Sequence, residues 1–196
     1  MFTGIIESTG IITDITASGT NKSFWIKSAI SADLKVDQSV SHNGVCLTVE
    51  EIEADRHKVT AVEETLEKTE LNGWAPGSII NLERSLLLSS RMDGHFVQGH
   101  VDTTGICKNI KDKTGSFVFE FTYSKKFAPL IIEKGSICIN GISLTAFEVK
   151  KNSFKVAIIP YTYEHTNLQY LKEKDKANLE FDMIGKYFLR KINLKD

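Results

Sequence analysis

The strongest constraint on the fold is internal, because the chain of 196 residues repeats itself once. Displacing the sequence by 95 positions lays Met1–Ile12 on Phe96–Cys107, so that Gly4 meets Gly99, Thr9 meets Thr104, Gly10 meets Gly105 and Ile11 meets Ile106. Displacing it by 97 lays Asn43-Gly44-Val45-Cys46-Leu47-Thr48 on Asn140-Gly141-Ile142-Ser143-Leu144-Thr145. The same displacement pairs Thr65 with Thr162, Glu67 with Glu164, Thr69 with Thr166 and Asn81-Leu82-Glu83 with Asn178-Leu179-Glu180. The matches keep their order and drift by only two positions, which chance similarity does not do. Two tandem units are expected, 1–90 and 91–183, followed by a tail, 184–196. Their junction lies near Leu88–Gly94, where apolar residues give way to Ser89-Ser90-Arg91-Met92-Asp93-Gly94.

Each unit reads as short strands. Ser23–Lys27, Ser39–Glu51, Lys58–Val62 and Ser78–Leu82 are rich in β-branched and aromatic residues and bounded by Gly, Asn or Asp. Ser116–Tyr123, Ser136–Val149, Ser153–Ile159 and Ala177–Phe181 repeat them in the second unit. Asn43-Gly44 and Asn140-Gly141 mark places where the backbone bends or takes positive φ. Many evenly spaced strands without a long helical period predict a mainly β chain of two small antiparallel barrels. Short helices are expected over Leu66–Leu71 and Glu164–Leu171. In the tail, Ile184, Tyr187, Phe188 and Ile192 share one helical face, with Lys186, Arg190 and Lys191 opposite. A helix this short is marginal alone in water, so the stripe is expected to pack, and another subunit is the favoured partner.

Composition excludes more than it selects. With 24 Lys+Arg against 25 Asp+Glu, the net charge of −1 gives no electrostatic case for nucleic acid or an anionic membrane. The first residues lack the basic start and apolar core of a signal peptide, and no apolar run approaches the roughly 20 residues that span a bilayer. Cys46, Cys107 and Cys138 are too few and too scattered for a disulfide framework or a zinc knuckle. They read as thiols in a reducing cytoplasm, and no metal is expected.

If two similar barrels hold similar ligands, chemistry should sit where the copies differ. Ile5 is replaced by His100, Cys46 by Ser143, Ser41 by Cys138, Asp37 by Lys134, and Glu63-Glu64 by Pro160-Tyr161. The second copy thus brings an imidazole, a hydroxyl and an ammonium where the first has an alkyl chain, a thiol and a carboxylate. His100 lies in Gly94-His95-Phe96-Val97-Gln98-Gly99-His100-Val101-Asp102, a segment dense in polar groups.

Five motifs then carry a resemblance. Met1-Phe2-Thr3-Gly4-Ile5-Ile6-Glu7, Asn43–Val49, Gly94–Asp102, Asn140–Thr145 and Asp182-Met183-Ile184-Gly185-Lys186-Tyr187 resemble, in order and in copy number, the segments of the riboflavin synthase family. The resemblance implies a homotrimer of subunits with tandem six-stranded Greek-key barrels, joined through C-terminal helices. It also implies one 6,7-dimethyl-8-ribityllumazine per barrel and an active site between the N-terminal barrel of one subunit and the C-terminal barrel of another. The implied reaction passes a four-carbon unit from one lumazine to the other, giving riboflavin and 5-amino-6-(D-ribitylamino)uracil without metal or separate cofactor. An association with lumazine synthase is left open.

By the same resemblance, the N-barrel pocket is expected to use Gly4, Ile5 and Ile6, then Cys46, Leu47 and Thr48, then Thr60, Ala61, Val62, Glu63, Glu64 and Thr65. The C-barrel pocket is expected to use Gly99, His100 and Val101, then Lys134, then Ser143, Leu144 and Thr145, then Ala157, Ile158, Ile159, Pro160, Tyr161 and Thr162. His100 is expected to shuttle protons, Ser143 and Thr145 to position or activate the acceptor, and Ser41 and Cys46 to support the donor. Where many members carry Asp before the Gly of the second Gly-x-Ser-Leu-Thr motif, this chain has Asn140, which removes any general-base carboxylate at that point. A non-catalytic lumazine protein that serves as an optical antenna is the main rival. Such proteins let the second-barrel motifs decay, and here His100, Lys134, Ser143 and Thr145 are all present. A flavin reductase barrel fails for want of a nicotinamide-binding domain.

Overall fold

The computed structural model describes residues 1–194; positions 195 and 196 of the expected tail lie outside the described residues. Six strands, β1 (Ser8–Ser18), β2 (Asn21–Ser28), β3 (Ser39–His42), β4 (Val45–Glu53), β5 (Arg56–Ala61) and β6 (Ile79–Arg84), close a barrel in the order β1-β2-β5-β4-β3-β6. Six more, β7 (Thr103–Asp112), β8 (Phe117–Thr122), β9 (Ser136–Ile139), β10 (Ile142–Phe147), β11 (Ser153–Ile158) and β12 (Lys176–Phe181), close a second barrel in the same Greek-key order. All neighbours pair antiparallel, and closure leaves no free sheet edge. The chain is therefore mainly β with a C-terminal helix: its two antiparallel barrels are those the repeat predicts, and the six strands in each are those the resemblance implies. Ile12, Phe24, Val49, Val59 and Leu82 fill the first core. The second is more aromatic, with Phe119, Phe121, Phe154 and Phe181.

Three details depart from the sequence reading. Ser39–Glu51 and Ser136–Val149 are each split in two, because Asn43-Gly44 (φ 47° and 79°) and Asn140-Gly141 (φ 46° and 83°) make tight hairpin turns with both central residues at positive φ. The long strands β1 and β7 went unmarked in sequence. A register shift between Ile12 and Asp14, and another between Cys107 and Asn109, breaks the in–out alternation that would have announced them. The short helices also begin earlier than expected: α1 spans Glu63–Lys68 and α2 spans Pro160–Glu164, each followed by a 3-10 turn. Val62 and Ile159 are still extended, and Pro160 opens α2 with its φ already suited to a helix.

The barrels meet across an asparagine seam with approximate two-fold symmetry. Asn43 Oδ1 accepts from Asn81 N at 2.6 Å, and Asn140 Oδ1 accepts from Asn178 N at 2.7 Å. Across the seam Asn81 Nδ2 donates to the Asn140 carbonyl and Asn178 Nδ2 to the Asn43 carbonyl, both at 2.9 Å. Buried amides paired in this way favour one docking geometry, since a shift would leave several unsatisfied.

The third helix, α3 (Met183–Asn193), is capped by Asp182, whose carboxylate accepts from Ile184 N at 2.9 Å, and is tied to the second barrel by a Lys186–Asp102 ion pair at 2.6 Å. Its apolar stripe stays bare: Ile184, Tyr187, Phe188 and Ile192 are 70%, 71%, 68% and 51% exposed. No described helix is long and apolar enough to cross a membrane.

Candidate active site

The site is built from glycine segments that change sides. Thr3 N and Gly4 N donate to the Glu83 carboxylate at 2.6 and 2.9 Å, which anchors the first segment to β6 of its own barrel. The Gly4 carbonyl, however, accepts from Ser143 N, 2.8 Å away on β10 of the other barrel. The second segment mirrors this arrangement. Gln98 N, Gly99 N and His100 N donate to Glu180 of β12 at 2.7, 2.9 and 2.8 Å, while the Gly99 carbonyl accepts from Cys46 N at 2.8 Å on β4. Phe2 and Val97 exchange backbone hydrogen bonds of 2.7 and 3.1 Å, stitching the two segments to each other.

This exchange corrects the expected grouping. Gly4, Ile5 and Ile6 do not lie with Cys46–Thr48. They face Ser143, and together with Tyr161 and Thr162 they line a cavity of about 430 Å³. Gly99, His100 and Val101 belong instead with Cys46, Leu47 and Thr48. Only glycine fits at the crossing points. Gly4 and Gly99 have φ near +78°, and a Cβ on either would lie 2.6 Å from the Cβ of Ser143 or Cys46.

The remaining candidates follow their strands. Thr60 and Ala61 end β5, Val62 precedes α1, and Glu63, Glu64 and Thr65 lie within it. Ala157 and Ile158 end β11, Ile159 precedes α2, and Pro160, Tyr161 and Thr162 lie within it. Leu144 is half-buried on β10, and Thr145 beside it is exposed. His100 is exposed. Lys134 sits on a turn at φ 63°, with its ammonium 5.4 Å from the Phe147 ring centroid, and does not line the 430 Å³ cavity. Ser41 is buried directly across the strand pair from Cys46, as Cys138 is from Ser143, so the hydroxyl and thiol trade places between the copies. Burial pushes the Cys138 thiol well above its usual range, which leaves it inert. Asn140 is buried in the seam, where its amide oxygen already serves Asn178. At this position the side chain braces its turn against β12 of its own barrel, and the backbone carbonyl, accepting from Asn81 Nδ2, is what reaches across the seam.

Three functional candidates escaped the sequence reading. Glu83 and Glu180 hold the glycine segments. Burial raises both carboxyls above the usual range, and the amide donors pull the other way. Their signal was present in the repeated Asn-Leu-Glu. The third is His95, whose Nδ1 lies 2.6 Å from Ser143 Oγ and whose backbone N donates to the Thr3 carbonyl at 3.1 Å. Burial lowers its pKa, and the Asp182 carboxylate opposes that. The ring is thus kept neutral near pH 7, able to exchange a proton with the Ser143 hydroxyl. Position 95 has no counterpart in the first copy, because the matching frame starts at Met1. A comparison of the copies could not flag it. Among the described residues no cluster of His, Cys, Asp and Glu is arranged to hold a metal ion.

The model for the lumazine binding domain matches the chain twice, over residues 3–85 and 98–182. The chain is similar to riboflavin synthase of Bacillus subtilis (37% identical over 197 residues, 98% of this chain and 92% of that protein). It is likewise similar to riboflavin synthases of Actinobacillus pleuropneumoniae (39%, covering 95% and 87%) and Saccharomyces cerevisiae (35%, covering 99% and 87%). In fold it resembles LumP complexed with 6,7-dimethyl-8-(1'-D-ribityl) lumazine (TM-score 0.84, 21% identity, 92% of this chain and 99% of that one). It also resembles LumP complexed with riboflavin (TM-score 0.86, 22% identity, same coverage). Two lumazine binding domains in tandem, and relatives aligned over almost the whole length, place this chain in the riboflavin synthase family.

Proposed function

We propose that the chain catalyses the dismutation of two molecules of 6,7-dimethyl-8-ribityllumazine into riboflavin and 5-amino-6-(D-ribitylamino)uracil. One lumazine loses a proton from its acidic 7-methyl group, the resulting carbanion attacks the other ring, and four carbons pass across. The atoms of two substrate molecules equal those of the two products, so no outside oxidant is required. Holding two rings face to face supplies proximity, worth up to about 7–11 kcal/mol in favourable systems. His100 serves as a proton carrier, and Ser143 and Thr145 orient the acceptor. Ser41, being buried, acts through Cys46 beside the donor.

The observation that carries this reading is the polar equipment of the second repeat, with Ser143 on the cavity wall and His95 behind it at 2.6 Å. An antenna that only holds a chromophore has no use for such a pair. Each glycine-lined half-site holds one lumazine, and the N-terminal barrel of one subunit meets the C-terminal barrel of the next in a homotrimer. The bare apolar stripe of α3 supports that assembly, since burying it favours association. The free thiols Cys46, Cys107 and Cys138 suit a reducing cytoplasm. Mixing the protein with the lumazine should produce growing yellow-green flavin fluorescence together with the pyrimidine product. Ligand that binds and stays unchanged would instead establish the antenna.

A further inference from the structure

The two repeats finish the lips of their half-sites differently. On α1, Glu64 and Lys68 form an exposed ion pair one turn apart. At the equivalent positions of the second repeat, Tyr161 and His165 stack their rings, with centroids 4.0 Å apart and planes at 19°. His165 Nδ1 lies 2.8 Å from the Tyr161 carbonyl oxygen. A carbonyl can only accept, so Nδ1 is the donor, and this bond fixes the imidazole against the phenol. Both residues line the cavity walled by Gly4–Ile6 and Ser143.

Core packing does not account for this pair. Tyr163, between them in sequence, is the aromatic that serves the core, stacked on Phe117 at 3.8 Å. Tyr161 remains 67% exposed, and the first repeat closes the same helix with charges. Tyr161 instead presents a flat aromatic face to the cavity, already fixed by the imidazole stacked on it, a surface suited to stacking on a planar ligand.

We propose that Tyr161, backed by His165 as its positioning residue, is a specificity-determining lip that stacks on the flat face of a fused heteroaromatic ring in this cavity. The first repeat has no ring at that place, so the two half-sites hold the same molecule unequally. The inference rests on the ligand class proposed above and adds which half-site grips it harder. Stacking of a base on an aromatic side chain is worth about 5- to 150-fold in affinity.

Riboflavin titration of the full chain, followed by flavin fluorescence, tests this. The wild-type protein should show two classes of site, the tighter one strongly quenched. Tyr161→Phe should keep both. Tyr161→Leu should weaken the tight class about tenfold or more, relieve its quenching and leave the other class alone. The double variant Tyr161→Glu/His165→Lys, which installs the pair α1 already tolerates, should do the same and guards against a folding artefact. Unchanged affinities and quenching in both variants would overturn the lip while leaving the proposed reaction intact. A wild-type chain that binds no flavin would overturn both.

Discussion

Acid should loosen the first barrel at a pH set by two histidines that never see solvent. His42 and His57 are fully buried, with their Nε2 atoms 2.9 Å apart. His42 Nδ1 lies 3.0 Å from the Val40 carbonyl and must donate to it, which leaves His42 Nε2 as acceptor. His57 Nε2 therefore donates, and His57 Nδ1 accepts from Ser31 Oγ at 2.8 Å, with Ser28 Oγ behind Ser31 at 2.8 Å. No charge relieves the pair: Lys27 pairs with Asp55 outside, Glu53 with Arg56, and Glu83 is held by Thr3 and Gly4. Burial pushes His57 down to about 4, and burial together with the neighbouring His57 holds His42 well below its usual range. Above pH 6.5 both rings are neutral whether the chain is folded or not, and the stabilisation is fully present. As pH falls from 6.5 towards 4, only the unfolded chain takes up the protons, so stability is lost. For His57 alone that interval, at about 1.36 kcal/mol per pH unit, amounts to about 3 kcal/mol, a large share of a typical 5–15 kcal/mol. His42 adds a loss of the same sign. Urea midpoints followed by the fluorescence of Trp25 and Trp74 should fall steeply between pH 6.5 and 4.5. In His57→Gln the slope should shrink by about one proton. A folded-state His57 resonance titrating at pH 6 or above, or an unaltered slope in the variant, would refute the reasoning.

Three further outcomes follow from the geometry. Gly99→Ala should destabilise the fold by about 2–5 kcal/mol in urea, because it adds positive-φ strain to a 2.6 Å clash with Cys46 Cβ; a loss under 1 kcal/mol would mean the crossing is not tight. A chain ending at Asp182 should sediment as a smaller species, and an unchanged oligomer would remove α3 from the interface. His100→Ala should cut turnover at least about tenfold with the urea midpoint unmoved, and wild-type turnover would discharge His100 from proton transfer.

Much of this was legible because duplication makes a sequence its own comparison. The matched Asn-Gly turns located both hairpins, and the matched strands gave both barrels. What stayed hidden has physical reasons. Bulges at Ile12/Asp14 and Cys107/Asn109 masked two strands whose alternation would otherwise have shown. Gly4 is expected beside Cys46 because the resemblance assigns motifs to a pocket by the repeat they belong to, and the order of motifs along a chain is blind to which barrel a segment visits. His95 was passed over in favour of His100, which substitutes visibly for Ile5, although it is His95 that reaches Ser143. Asn140 stands out in sequence as a missing carboxylate, and only the fold shows that its amide oxygen braces β12 while its backbone carbonyl takes the bond across the seam.

The crossing of the glycine segments has a consequence for how such a chain arises. A lone half, cut free, would expose an empty groove on its fourth strand and a loose arm shaped to fill that groove in a twin. Two identical halves would satisfy each other by trading arms, as domain-swapped partners do. Joining them end to end keeps the trade within one molecule and lifts the demand that both sides stay the same. Thereafter the two grooves were free to differ, and here one carries a hydroxyl and an aromatic rim where the other carries a thiol and an ion pair.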